Sequence, residues 1–178
     1  MNIFILNSGR CGSSTFIRAC SHISNYSAAH ESRARLLGAA RLDYPANHIE
    51  ADNRLCWLLG RLHQCYGDHA FYLHLQRQPE ATIASFRRRS ELEHGILRAY
   101  RQGILMSDET AHDPTQLAAD YLHTVTENIR HFLRDKSHCM TLQLETAQNE
   151  FPHFWERIGA QGDLNAALQE WQICYNAS

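Results

Sequence analysis

The sequence predicts an α/β fold, a three-layer sandwich with a mainly parallel central sheet, in one domain over residues 1–178. Three observations carry that expectation. Strand-length segments rich in β-formers stand at Ile3–Leu6, Phe71–Leu75 and Cys139–Leu144. Helical patterns separate them, so the text alternates β-α-β-α. No repeat, linker or low-complexity stretch interrupts the alternation.

The first element is the most informative. Ile3, Phe4, Ile5 and Leu6 form an apolar run, as expected of a strand buried on both faces. Asn7 to Gly12 is a turn with two glycines, and Ser13 opens a segment with Phe16, Ile17 and Cys20 at helical spacing. A strand, a Gly-rich turn and a helix N-terminus make an anion site: the free N–H groups of the first turn point outward and the dipole favours negative charge. Ser13, Ser14 and Thr15 add hydroxyls, and Arg10 adds a fixed cation. The stretch reads as a phosphate-binding loop, the alternative being a tight βα turn with an ordinary N-cap serine. It is not the nucleoside-triphosphate version, G-x-x-x-x-G-K-[ST], because Gly12 is followed by Ser13 and the first lysine is Lys136.

Further along, Ser24–Ala29 is expected to be a second short strand ending at His30-Glu31. Ligands of open α/β sheets bind at the carboxyl ends of strands, so Glu31 is placed to reach a substrate. A helix-start carboxylate is the alternative role, since Ser32–Leu42 reads as a short helix. His48–Ala51 is a brief strand end. Asp52 or Asn53 then caps a helix carrying Leu55, Trp57, Leu58, Leu59, Leu62 and Cys65, closed by Gly67-Asp68. After Phe71–Leu75, Arg77 stands just past the strand, and Gln78-Pro79-Glu80 starts a helix bearing Ile83, Ser85, Phe86 and Arg89. Arg77 and Ser85 lie eight residues apart, so a strand-end Arg and a Ser two turns into the next helix can converge on one anion. A capped helix with an exposed Ser and a solvated Arg is the alternative. Helices are further expected at His94–Gly103, Thr115–Arg134 (capped by Asp113 before Pro114), Phe151–Ile158 and Leu164–Tyr175.

Composition excludes other classes. The net charge is −2 and the longest basic cluster is Arg87-Arg88-Arg89, so no nucleic-acid or acidic-membrane partner is expected. No stretch approaches the ~20 apolar residues of a membrane span. Met1–Leu6 lacks a basic n-region, so no signal peptide is expected. The six cysteines show no C-x-x-C pairing and sit in apolar contexts, which suits a reduced, cytoplasmic protein. The twelve histidines show no compact ligand spacing, so no metal site is expected.

Arg10-Cys11-Gly12-Ser13-Ser14 resembles the 5′-phosphosulfate loop of the sulfotransferases that use 3′-phosphoadenosine 5′-phosphosulfate (PAPS), in which Lys or Arg, a small residue, Gly and two Ser/Thr follow a strand. LQRQPEATIASFRRR resembles the family's second signature, whose Arg and Ser bind the 3′-phosphate with the same spacing. The resemblance implies a P-loop nucleotide-binding-like fold and sulfuryl transfer from PAPS to an acceptor hydroxyl. It implies that Gly9, Arg10, Cys11, Gly12, Ser13, Ser14 and Thr15 hold the 5′ end of the nucleotide and that Arg77 and Ser85 hold its 3′-phosphate. CSHISNYSAAHESR resembles the stretch of the protein-tyrosine and bacterial types that carries the catalytic base. That implies Glu31 as base beside a catalytic Arg10, with Arg33 and Arg35 as substrate or leaving-group contacts and His30 and Glu50 as rival bases. Where many members carry Tyr-Glu after the last strand, this chain has Leu144-Glu145. The runner-up readings are a small phosphotransferase or kinase of similar architecture, and a non-catalytic nucleotide-binding protein of the same fold. The acceptor and the oligomeric state are not legible.

Overall fold

The structure, a computed structural model, describes residues 1–88, 95–108 and 111–173. In chain order the elements are β1 (Ile3–Leu6), α1 (Ser13–Cys20), β2 (Ser27–His30), β3 (His48–Ala51), α2 (Leu59–Tyr66), β4 (Phe71–Gln76), α3 (Pro79–Arg87), α4 (Ile96–Ala99), α5 (Pro114–Leu133), β5 (Cys139–Gln143), α6 (Ala147–Arg157) and α7 (Leu164–Gln169). The strands form one all-parallel sheet in the order β2-β3-β1-β4-β5. β1 is central, with Ile3 opposite both Ile49 and Phe71.

Successive side chains of a strand point to opposite faces, and β1 uses both. Ile3 and Ile5 enter one core layer with Phe16 of α1 and Phe151 and Phe154 of α6. Phe4 and Leu6 enter the other with Leu62 of α2, Phe86 of α3 and Tyr121 of α5. The expected three layers follow. The chain leaves β1 towards one edge and β4 towards the other; right-handed crossovers in opposite directions must lie on opposite faces. The crevice between the ends of β1 and β4 is thus the point where the strand order reverses, the usual ligand position in such sheets.

Several elements differ from the sequence expectation. The second strand begins at Ser27 rather than Ser24, because the preceding turn bonds elsewhere: Ser24 N–H donates to the Gln161 carbonyl at 2.7 Å and Asn25 Nδ2 to that of Gly159 at 3.0 Å. Ser32–Leu42 is not a helix but a series of turns with a 3-10 segment at Gly38–Arg41. Its first N–H is taken by Glu50, and Gly38 is left-handed at φ 57°. Asp52 caps the next segment as expected, accepting the Arg54 N–H at 2.8 Å. The helix expected after it is split into a 3-10 turn at Asn53–Trp57 and α2, because Leu58 between them leaves the helical region at φ −119°, ψ 18°. α4 continues into a π turn at Tyr100–Ile104. The last helix gives way to a 3-10 turn at Glu170–Gln172. Arg89, His94 and Tyr175, which the sequence places on helices, lie outside the described residues. Asp113 caps α5 as expected, accepting from the N–H groups of Thr115 and Gln116 at 2.8 and 3.1 Å. Among the described residues, no helix is long and apolar enough to cross a membrane.

Candidate functional site

The turn after β1 is folded by its own residues. Buried Asn7 donates through Nδ2 to the Ile5 carbonyl and accepts the Gly9 N–H through Oδ1, both at 2.9 Å. Gly9, Arg10 and Gly12 are all left-handed, at φ 84°, 59° and 84°. Glycine adopts this region freely, whereas Arg10 adopts it at a cost. Gly12 has a second reason to be glycine: a Cβ there would lie 2.4 Å from Cδ1 of Leu144. From behind, the Tyr121 hydroxyl on α5 donates to the Ser8 carbonyl at 2.8 Å. α1 then opens with Gly12 as its cap and no acidic residue in its first turn. The first N–H groups of a helix have no intrahelical acceptor, and here no nearby carboxylate of α1 offsets the dipole.

The mid-chain segment meets this turn. Arg10 Nε donates to Ser85 Oγ at 2.9 Å, and Arg77 Nη1 donates to the Arg10 carbonyl at 3.3 Å. Ser85 is buried on α3 and Arg77 is half-buried at the end of β4. Two guanidinium groups and a hydroxyl from three separate elements are therefore gathered at the crevice where strand order reverses. Across the sheet edge, His30 Nε2 lies 3.0 Å from Ser13 Oγ, tying the end of β2 to the start of α1.

A cavity of about 230 Å³ opens on the β2–β3 side of the turn, lined by Gly9, Arg10, Ser13, Ser14, His30, Glu31 and Arg54 among others. Glu31 follows β2 with φ 53°, and its carboxylate pairs with Arg54 at 2.7 Å. Burial alone would lower the Arg54 pKa; the bonds and charges of Glu31 and Asp52 together outweigh it and hold it raised. A second cavity of about 420 Å³ lies on the β4–β5 side, with Ser8, Arg77, Gln143 and Glu145 in its wall. The loop forms the ridge between them.

Other sequence nominees sit differently. Glu50 is fully buried and bonded to His48 and Ser32, and it does not line the cavity. Arg33 donates to the Ala40 carbonyl at 2.8 Å and lies over the Tyr44 ring, outside the cavity wall. The Cys11 side chain is in the core, and burial pushes its thiol up to about 12, so only its backbone faces the turn's task. Thr15 is half-buried and outside the wall. Leu144 packs on Gly12, while Glu145 accepts the Gln78 N–H at 3.1 Å. Sequence reading missed Arg54 and Phe86 as cavity residues. The signal for Arg54 was its place just past β3, next to the end of β2. Among the described residues, no group of three His, Cys, Asp or Glu is placed to hold a metal ion.

The architecture is a parallel sheet flanked by helices, with a Gly-rich turn at the centre of its carboxyl edge. Among solved structures, the sulfotransferase domain from the curacin biosynthetic pathway superposes on 97% of this chain and 78% of its own, with a TM-score of 0.68 and 16% sequence identity. The chain therefore has the fold of a sulfotransferase domain. No protein-family model matches the sequence, and no curated protein matches it.

Proposed function

We propose that the chain is a PAPS-dependent sulfotransferase that moves a sulfuryl group in line to an acceptor hydroxyl. One observation supports this reading beyond the fold itself: at the switch point Arg10 bonds Ser85 and Arg77 bonds the Arg10 carbonyl, so the two phosphate signatures are neighbours. The site suits a doubly phosphorylated nucleotide. The left-handed turn and the first N–H groups of α1, with the hydroxyls of Ser13, Ser14 and Thr15, take the 5′-phosphate. Gly9 and Gly12 keep the backbone close, and the Cys11 N–H belongs to the same turn. Arg77 and Ser85 take the 3′-phosphate, and so select this donor over ordinary nucleotides. The larger cavity beside Arg77 has room for the nucleoside.

PAPS supplies an activated sulfuryl group on a phosphate leaving group. Arg10 neutralises the charge that builds on the bridging oxygen as the S–O bond breaks, exchanging its bond to Ser85 for that oxygen. Glu31 takes the proton of the acceptor hydroxyl as the new O–S bond forms. Its partner Arg54 must release it for that step. His30, fixed against Ser13, orients the hydroxyl or the loop. As in phosphoryl transfer, most of the effect is positioning and charge stabilisation, and the guanidinium groups and helix terminus supply the positive charge.

The test is calorimetric binding of adenosine 3′,5′-bisphosphate against adenosine 5′-monophosphate. The bisphosphate is expected to bind at least about tenfold tighter, as one charged contact is worth. Equal affinity removes the 3′-phosphate reading, and tighter binding of ATP with Mg²⁺ than of either returns the phosphotransferase.

A further inference from the structure

Glu50 is a fully buried carboxylate that takes no part in the cavity wall, yet it bonds the residue next to Glu31 twice. Its Oε1 accepts the Ser32 N–H at 2.8 Å, and its Oε2 accepts the Ser32 hydroxyl at 2.6 Å. His48 Nε2 lies 3.0 Å from the same Oε2, while His48 Nδ1 lies 2.8 Å from Ser27 Oγ. Because a carboxylate only accepts, Nε2 carries a proton, and Nδ1 faces the Ser27 hydroxyl. The imidazole is also stacked on Tyr44, at 5.6 Å between centroids.

Ser32 directly follows Glu31. The Glu31 N–H donates to the Ala51 carbonyl at 2.9 Å, the last rung of the β2–β3 ladder. The peptide plane after Glu31 is held by Glu50. Glu31 is thus pinned on both sides in a left-handed conformation, φ 53°, that a side-chain-bearing residue rarely adopts. Charge-assisted bonds to a buried carboxylate are the strong class, so they can hold such a conformation against its cost. Without them the backbone would relax, and the Glu31 carboxylate would leave its place beside Arg54 in the cavity wall.

We infer that Glu50 is a positioning residue for the transfer step. Acting through both donors of Ser32, it fixes the strained backbone that aims Glu31 into the acceptor cavity. This rests on the reading of Glu31 as the base. Burial in the sheet keeps Glu50 from acting on the acceptor itself.

The experiment uses the full chain with Glu50→Gln, Ser32→Ala, Glu31→Gln and the Glu31→Gln/Glu50→Gln double variant. Three quantities are read: amide hydrogen exchange at Glu31 and Ser32, the Kd of adenosine 3′,5′-bisphosphate, and transfer from PAPS to p-nitrophenol. In Glu50→Gln, exchange at Ser32 is expected to quicken at least about tenfold and kcat to fall by about tenfold or more, with the Kd within about twofold. The Glu50→Gln change should cost nothing further in the Glu31→Gln background. Ser32→Ala keeps the backbone donor and loses the hydroxyl, so its intermediate loss decides the matter if Glu50→Gln fails to fold. Unaltered exchange at Ser32 in Glu50→Gln overturns the clamp whatever the reaction is. Losses that multiply in the double variant, or a Kd that weakens in step with kcat, overturn the link to Glu31. Bisphosphate binding no tighter than that of adenosine 5′-monophosphate, with the Ser32 amide protected and lost as described, overturns the assigned reaction and not the clamp.

Discussion

Arg10 Nε donates to Ser85 Oγ at 2.9 Å, although 75 residues separate them in the chain. Ser85 is buried, at 2% exposure, and Arg10 is half-buried. The bond joins the turn after β1 to the helix after β4, across the one crevice in the sheet where the crossover connections diverge. The left-handed conformation of Arg10, φ 59°, is the costly part of this arrangement, and its bond to the buried hydroxyl helps to hold it. With Arg77 donating to the carbonyl of that same arginine, one anion can touch the first turn and the mid-chain signature together.

Arg77→Ala is the sharpest test of how these groups divide a ligand. Arg77 is expected to read the 3′-phosphate, so its loss should weaken adenosine 3′,5′-bisphosphate by roughly 10–100-fold, the worth of a charged hydrogen bond. Binding of the 5′-monophosphate should change little. Calorimetry on both ligands checks this, and equal losses would move Arg77 to a purely structural role at the Arg10 carbonyl.

Glu31→Gln separates chemistry from binding. The substitution keeps the shape and removes the proton acceptor. Transfer should fall by about 10²-fold or more, the usual worth of a positioned base, with the bisphosphate Kd within a few-fold. Single-turnover kinetics with labelled PAPS reads it. Retained turnover would shift the role to His30, which also lines the cavity and touches Ser13.

Tyr121→Phe tests how the loop is held. The hydroxyl that it removes is the donor to the Ser8 carbonyl, and both residues are buried. The orphaned carbonyl should cost about 1–2 kcal/mol in urea unfolding. Bisphosphate affinity should drop several-fold, because the turn loses its support from α5. A variant as stable and as tight as the parent would show that the turn holds itself through Asn7 alone.

What the sequence made legible follows from burial. β1 and β4 are covered on both faces, so their runs read as strands, and the turn after β1 announces itself through glycines that the observed φ values require. β2 is a half-exposed edge strand with the pattern Ser-Ala-Ala-His, so its start had no apolar marker. The segment after it has good helix formers, Arg, Ala and Leu, but a tertiary bond from Glu50 takes its first N–H and Gly38 turns it aside. The sequence pairs Arg77 with Ser85 on one anion and does not pair Arg10 with Ser85; that those two side chains bond each other needs the strand order β3-β1-β4. Arg54 was hidden for the same reason, since nothing local tells that β2 and β3 end side by side.

His74 gives the fold a pH signature of its own. It lies 3% exposed on β4, with Gln76 Nε2 as its neighbour at 3.1 Å. Burial, helped by the charge of Arg130, pulls its pKa down from 6.5 to about 4. Between those two values the unfolded chain binds a proton that the folded chain refuses, so stability falls as pH falls through this window. Above pH 6.5 neither state is charged and the effect vanishes; below about 4 both are charged and it is complete, at a total on the order of 3 kcal/mol. His74→Gln cannot take up the proton. Its stability, from urea unfolding at a series of pH values, should therefore decline less than that of the parent between pH 6.5 and 4, while above pH 7 the difference between the two stays constant. Parallel curves through the acid window would mean that folded His74 takes up its proton as readily as the unfolded chain does.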